Sequence, residues 1–154
     1  MTWSSYEPED DGVLVAYASI HGNTKKAAEK MKEILEAKGA KKVAITDLSR
    51  DDMAEAIEDA FRYDKLVLAA ASHDASVFPC METFLNNLTN KNYQNRKIAI
   101  IENGSWAPTA ARVMKSYVEK MKKITLCEKT VTIKSAMKDA DVIAMEELAD
   151  ELLA

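Results

Sequence analysis

The sequence predicts a doubly wound α/β domain, a parallel sheet of five strands with helices on both faces. Short apolar runs alternate five times with amphipathic helical patterns along the 154 residues. Strands linked by helical crossovers pair in parallel, with right-handed connections. The runs Leu66 to Ala71 and Lys97 to Ile101 are apolar almost throughout rather than alternating, as expected of strands covered on both faces. A hydrophobic content of 47% can fill one substantial core, so a chain of this length is expected to form a single domain.

Residues 1–12 are polar, acidic and unpatterned, and read as a tail or inter-domain linker ahead of a domain over 13–154, although Trp3 and Tyr6 are unusual in a free tail. The first strand, Val13 to Ala18, breaks into a short loop, Ser19 to Thr24, and a helix is expected from Lys25 to Lys38. Its apolar face is Ala27, Ala28, Met31, Ile34 and Leu35, and Gly39 supplies the stop. Val43 to Ile45 forms a second strand that gives out at Thr46 and Asp47. Met53, Ile57, Ala60 and Phe61 then mark the second helix. The third strand, bounded by Asp64 and Ser72, leads into the loop Ser72 to Phe78. Pro79 then occupies a first helical turn, where its missing N–H costs nothing, and Met81, Phe84, Leu85 and Leu88 continue at helical spacing. The fourth strand breaks at Glu102 to Trp106 before a helix bearing Ala110, Met114, Tyr117, Val118 and Met121. Val131 to Ile133 and a helix with Met145, Leu148, Ala149 and Leu152 form the last pair.

The net charge of −4 argues against a nucleic-acid or anionic-membrane surface, which needs clustered Lys and Arg to neutralise phosphates. Cys80 and Cys127 are far apart and form no Cys-x-x-Cys pair, so neither a metal knuckle nor a disulfide framework is indicated, and a reducing cytoplasm fits. No secretory signal and no long apolar run is present, so export and membrane spanning are unsupported.

Ligands of doubly wound sheets bind beyond the carboxyl ends of the strands, near the point where strand order reverses. The loops after the first, third and fourth strands therefore carry the candidate site. In the first of them, Ser19, Asn23 and Thr24 offer side-chain donors around Gly22, and a helix N-terminus follows with unpaired N–H groups and partial positive charge. A monoester phosphate could be held there without a cationic side chain. The same residue types are ordinary helix caps, and from local chemistry alone the two readings stand side by side. Neither the Walker pattern nor Gly-x-Gly-x-x-Gly is present. His73 and Asp74 invite a catalytic-dyad reading, but adjacent residues seldom face one another and no activated nucleophile accompanies them. Asp47 reads as a helix cap or solvated turn residue rather than a ribose-binding acid. Cys80 reads as a buried, inert thiol although a helix N-terminus could lower its pKa, and the stripe Met31, Met53, Met81, Met114, Met121 and Met145 reads as packing.

The run from Tyr17 to Thr24 closely resembles the phosphate loop of flavodoxins. The order of elements over roughly residues 13 to 153, without a long insertion in the fifth strand, resembles the C-terminal flavodoxin-like domain of flavodiiron proteins. Even the linker around Trp3 and Ser4 is similar to the segment joining the two flavodiiron domains. The resemblance implies a flavodoxin-like three-layer sandwich with strand order 2-1-3-4-5 and a bound FMN. The FMN phosphate would be held by Ser19, His21, Gly22, Asn23 and Thr24. The isoalloxazine ring would lie between the loop carrying Ser72, His73, Asp74 and Ala75 and the loop carrying Asn103, Gly104, Ser105 and Trp106; Trp106 could stack on its face or pack the loop against the following helix. The ring loops depart from the family pattern: Ser72-His73-Asp74 stands where a Ser-Pro-Thr element is usual, and Asn103-Gly104-Ser105-Trp106 where a glycine-rich Tyr-Gly-Trp-like element is usual.

What the resemblance implies about function is an electron-transfer domain that shuttles electrons singly, with no catalytic side chain and no metal site of its own. By itself it would be an electron carrier. Within a larger flavodiiron protein it would pass electrons to a di-iron domain that reduces oxygen or nitric oxide, and a homodimer is left open. The alternative is a flavodoxin-like interaction or regulatory module that has lost the flavin. A weaker third reading is an NAD(P)H-dependent quinone or flavin reductase of the same fold.

Overall fold

The computed structural model describes residues 10–18, 23–48, 50, 52–73, 76–77, 79–91, 93, 96–103, 110–121, 124–133 and 138–153, with backbone alone at 10–11, 23, 71–73, 76–77, 79, 103 and 110–111. The elements in chain order are β1 (Asp10–Ala18), α1 (Asn23–Ala37), β2 (Val43–Asp47), α2 (Met53–Arg62), β3 (Tyr63–His73), β4 (Ser76–Val77), α3 (Pro79–Asn90), β5 (Arg96–Asn103), α4 (Ala110–Val118), β6 (Ile124–Ile133) and α5 (Asp139–Leu153). Five strands pair in parallel in the order β2-β1-β3-β5-β6, which is the expected 2-1-3-4-5 once the two-residue β4, antiparallel to the end of β3, is set aside. The family's three-layer sandwich is thus the observed architecture.

Alternation along the central strands builds two cores. Leu14, Ala16 and Ala18 of β1, Leu66, Leu68 and Ala70 of β3, and Ile98 and Ile100 of β5 face one side, where they meet Ile57 and Phe61 of α2, Phe84 and Leu88 of α3, and Met114 and Val118 of α4. Val13, Val15, Tyr17, Val67, Ala69, Ala99 and Ile101 face the other side, against Ala28, Met31 and Leu35 of α1 and Met145, Leu148 and Leu152 of α5. Met31, Met81, Met114 and Met145 are fully buried, and Met53 and Met121 pack at the margin, so the methionine stripe is packing.

The helices begin and end for identifiable reasons. Gly39, at φ +97°, takes the left-handed turn that ends α1, and the Ala40 N–H donates to the Leu35 carbonyl at 3.0 Å. Asp52 caps α2 by accepting from the Ala54 N–H at 3.1 Å. The cap is therefore Asp52 and not Asp47, whose carbonyl accepts from the Arg50 N–H at 3.1 Å and whose side chain sits 3.9 Å from Arg50 Nε, as a turn residue. No loop separates α2 from β3, because Tyr63 is already extended and its N–H still closes the helix on the Asp59 carbonyl. Pro79 is the first residue of α3, as its chemistry predicts.

Three strand boundaries differ from the sequence pattern. β1 opens at Asp10, ahead of the apolar run, with an irregularity between Asp10 and Val13 in its pairing with β3. β3 runs on to His73 and folds back as β4 through the pairs Ser72 with Val77 and His73 with Ser76. β6 starts at Ile124 rather than Val131. From Ile98 to Ile100 the β5 chain advances two residues while its partner advances four, from Leu126 to Thr130. The bulge this makes hides the strand from a periodicity reading. Its Glu128 and Lys129 N–H groups donate to the two carboxylate oxygens of Glu151 at 2.6 and 3.1 Å.

Candidate functional site

Parallel pairing puts the carboxyl ends of β1, β3 and β5 on one edge of the sheet, and the register sets them abreast: Ala18 pairs with Ala70, and Ala71 with Asn103. From β1 the chain goes outward to β2 and then returns to the other side of β1 as β3, so strand order reverses between β1 and β3. That is the crevice where doubly wound sheets take ligands.

α1 starts at Asn23, two residues before the position its periodicity indicates, and so draws Asn23 and Thr24 into its first turn. Thr24 is 3% exposed, one of four buried polar side chains among the described residues. The first turn of α1 holds no acid, and Lys25 and Lys26 are exposed there. α2 carries Glu55, α3 carries Glu82, and α5 carries Asp139 and Asp141 in their first turns, while α4, like α1, carries none. An anion at the start of α1 therefore meets the helix's positive end and no carboxylate from that turn, which suits a phosphate group.

Ser72 and His73 end β3 immediately before the β3–β4 turn, and Asn103 ends β5. β4 lies beside α4. Ser19, His21, Gly22, Asp74, Ala75, Gly104, Ser105 and Trp106 lie outside the described residues. The structure thus brings the flanks of all three predicted loops, Asn23 and Thr24, Ser72 and His73, and Asn103, to one edge.

Two thiols and one carboxylate complete the chemistry near the sheet. Cys80, half-buried in the first turn of α3, has its thiol pKa raised by burial and by the negative charge of Asp47; its own N–H and that of Met81 pull the other way and lose. The thiol is partly exposed rather than buried, and the shift runs opposite to activation by the helix N-terminus. Cys127, in the bulge of β6, is pushed up to about 11 by burial and by Glu151, partly offset by Lys97. Glu102, which the sequence reading treated only as a strand terminator, is 7% exposed and accepts from the Thr132 hydroxyl at 2.7 Å. Its one sequence signal is an acid standing directly after Ile100 and Ile101 in a central strand.

A sheet of this order with its crevice between β1 and β3 defines a flavodoxin-like α/β domain. The model of the flavodoxin domain matches residues 14–136, and the chain belongs to that family. Rubredoxin oxygen:oxidoreductase of Desulfovibrio gigas superposes with a TM-score of 0.90 at 15% identity over 97% of this chain and 37% of that one. A variant of the flavo di-iron protein of Thermotoga maritima gives 0.80 at 20% identity over 99% of this chain and 37% of that one. Oxidised flavodoxin 1 of Bacillus cereus gives 0.76 at 17% identity over 93% and 97%. No curated protein sequence matches the chain. The chain spans a little over a third of the two larger proteins and nearly the whole of the free flavodoxin. Among the described residues no helix is long and apolar enough to cross a membrane.

Proposed function

We propose that this domain binds FMN noncovalently at the carboxyl edge of its sheet and serves as an electron carrier. One observation carries the reading: the acid-free N-terminus of α1, with Thr24 buried in its first turn, opens at the point where strand order reverses. The donor set fits the terminal phosphate of the cofactor. The Thr24 hydroxyl and the unpaired N–H groups of that turn hold the phosphate, with Ser19, His21, Gly22 and Asn23 closing around it. The loop of Ser72, His73, Asp74 and Ala75 and the loop of Asn103, Gly104, Ser105 and Trp106 flank the ring, orient it and keep water from it. The flavin supplies the redox chemistry, and the protein sets its binding and its electrostatics.

The partner in this reading is a di-iron domain or a separate redox protein that receives the electrons, and the compartment is the cytoplasm. The likeness to a flavo di-iron protein, much longer than this chain, supports the di-iron partner; the likeness to a free flavodoxin supports the separate one. The test is a titration of purified protein with FMN, followed by flavin fluorescence and absorbance. Quenching and a spectral shift at micromolar protein are expected, and their absence overturns the proposal. Thr24→Val removes the buried donor at nearly constant volume, and should weaken FMN binding about tenfold through loss of a charge-assisted hydrogen bond. Unchanged affinity would remove Thr24 from the phosphate site. The Ser72-His73-Asp74 departure favours a second reading, an interaction module without flavin, which a colourless preparation that resists reconstitution would support.

A further inference from the structure

The sheet ends in two outer strands, β2 and β6, and they are finished differently. β6 is guarded: it bulges, Glu128 and Lys129 stand exposed in the bulge, and the carboxylate of Glu151 accepts from both of their N–H groups. Bulges and charges of this kind keep an edge strand from pairing with another chain. β2 has no bulge. Val43 to Asp47 pair with Val13 to Tyr17 of β1 in an unbroken register, and Val43, Ala44 and Ile45 are only half-buried. Its charges stand at the ends, with Lys41 and Lys42 just ahead of the strand and Asp47 its last residue. Among the described residues β1 is its one strand neighbour.

The hydrogen-bond phase of β2 is fixed by β1. The Lys42 carbonyl accepts from the Val13 N–H at 2.9 Å, and the Leu48 N–H donates to the Tyr17 carbonyl at 2.8 Å, so the even positions turn their backbone groups inward. Successive strand residues point these groups to opposite sides, and those of Val43 and Ile45 therefore turn outward. An antiparallel partner must set its own outward residues opposite them. A second copy, related by a two-fold axis through Ala44 and normal to the sheet, does so. Val43 of each copy then stands opposite Ile45 of the other, Lys41 opposite Asp47, and Ala44 opposite Ala44. Apolar side chains meet apolar ones, and opposite charges face each other at both ends of the joint. Moving the axis to Ile45 sets Val43 against Asp47 and Lys42 against Leu48, and loses both matches.

We propose that β2 is a homodimerisation edge, at which two copies of this chain join β2 to β2, antiparallel and centred on Ala44, into one continuous sheet. Val43 and Ile45 each exchange both outward backbone hydrogen bonds with the second copy. The joint is short, so the dimer is of the weak class, with a dissociation constant of about 10–100 µM.

Sedimentation velocity over a concentration series tests the proposal, and wild type should pass from monomer to dimer within that range. Val43→Pro removes an outward N–H and spares the ladder with β1, so it should weaken the dimer at least about tenfold. Lys41→Asp, at an exposed position, sets like charges opposite one another at both ends and should weaken it several-fold. The register has its own readout. Ala44→Cys brings two thiols together across the axis, with Cα atoms about 4.5 Å apart, and mild oxidation should trap a covalent dimer. Val43→Cys, whose two copies stand diagonally about 7–8 Å apart, and wild type with Cys80 and Cys127 should remain uncrosslinked. Wild type that stays monomeric to about 500 µM, well above the expected range, overturns the proposal. So does a dimer that folded Val43→Pro leaves unchanged, or in which Ala44→Cys does not crosslink.

Discussion

Gly12→Ala tests the packing of the amino edge of the sheet, far from the proposed site. Gly12 sits at the irregularity of β1, and its N–H donates to Asp64 Oδ1 at 3.0 Å. A Cβ there would stand 2.8 Å from the Lys42 carbonyl oxygen and 2.8 Å from Tyr63 Cδ1, where ordinary contact is 3.4–4 Å. Neither neighbour can yield easily. The Lys42 oxygen is held by the Val13 N–H at 2.9 Å, and Tyr63 is a buried ring at the head of β3. Overpacking of this kind costs about 1–3 kcal/mol, and strain on the Val13 hydrogen bond adds up to about 1 kcal/mol. Alanine restricts the unfolded chain more than glycine and returns about 0.4–1 kcal/mol, which leaves a net loss of about 2 kcal/mol. In a domain of this size that lowers Tm by about 4–8 °C, read by circular dichroism or calorimetry. FMN affinity should not change. A Tm within about 1 °C of wild type would show that the strand junction gives way freely and would refute the argument.

Three further substitutions address the remaining buried chemistry. The Tyr93 hydroxyl is buried with no hydrogen-bond partner among the described residues, while its ring packs edge-on to Phe61 at 5.2 Å between centroids. Tyr93→Phe should therefore hold stability or raise it by about 1 kcal/mol in urea unfolding, and a clear loss would reveal a partner for that oxygen. The Cys127 thiol, pushed up to about 11 from an ordinary 9.0, loses its proton first in the unfolded chain. Its contribution to stability is fully present below pH 9.0 and lost as pH rises through about 11, so Cys127→Val should flatten the fall in the urea midpoint between pH 8 and 11 relative to wild type. Glu151→Ala strips the bulge of β6 of the acceptor for two N–H groups and should cost about 1–2 kcal/mol, with Glu151→Gln recovering part of it in the same assay.

The periodicity of Leu66 to Ala71 and of Ile98 to Ile101 made the central strands legible, because strands buried on both faces admit little except apolar residues. Edges were less legible for the same reason. β6 lies at the margin of the sheet and half of it faces solvent, so Cys127, Glu128 and Lys129 carry no pattern, and the cap that organises them comes from Glu151 in another element. The fold-back of β3 into β4 was hidden because a two-residue strand has no period. At the site, the phosphate loop could be read because its chemistry is local: hydroxyls and a glycine followed at once by a helix. Glu102 could not, since the Thr132 hydroxyl that donates to it stands thirty residues on, in another strand. An acid at the end of an apolar strand looks like a strand terminator until the strand beside it is placed.

The two ends of the sheet are built from different side chains. At the amino edge Arg96 is buried with Nε donating to the Tyr63 carbonyl at 3.1 Å and a second nitrogen to the Phe61 carbonyl at 2.5 Å, and its guanidinium lies 5.2 Å from the Tyr93 ring centre. This cluster ties the junction of α2 and β3 to the start of β5, and bulky rings fill it. At the carboxyl edge the row Ala18, Ala70 and Glu102 is made of small side chains and one charge, which contribute little packing of their own. The consequence separates the two ends experimentally: substitutions at Gly12 or Tyr93 should move unfolding and leave ligand affinity alone. On the FMN proposal, Thr24→Val should move affinity by more than it moves unfolding. A Thr24 variant that loses stability while its flavin affinity stays intact would mean that the carboxyl edge, too, is built for packing.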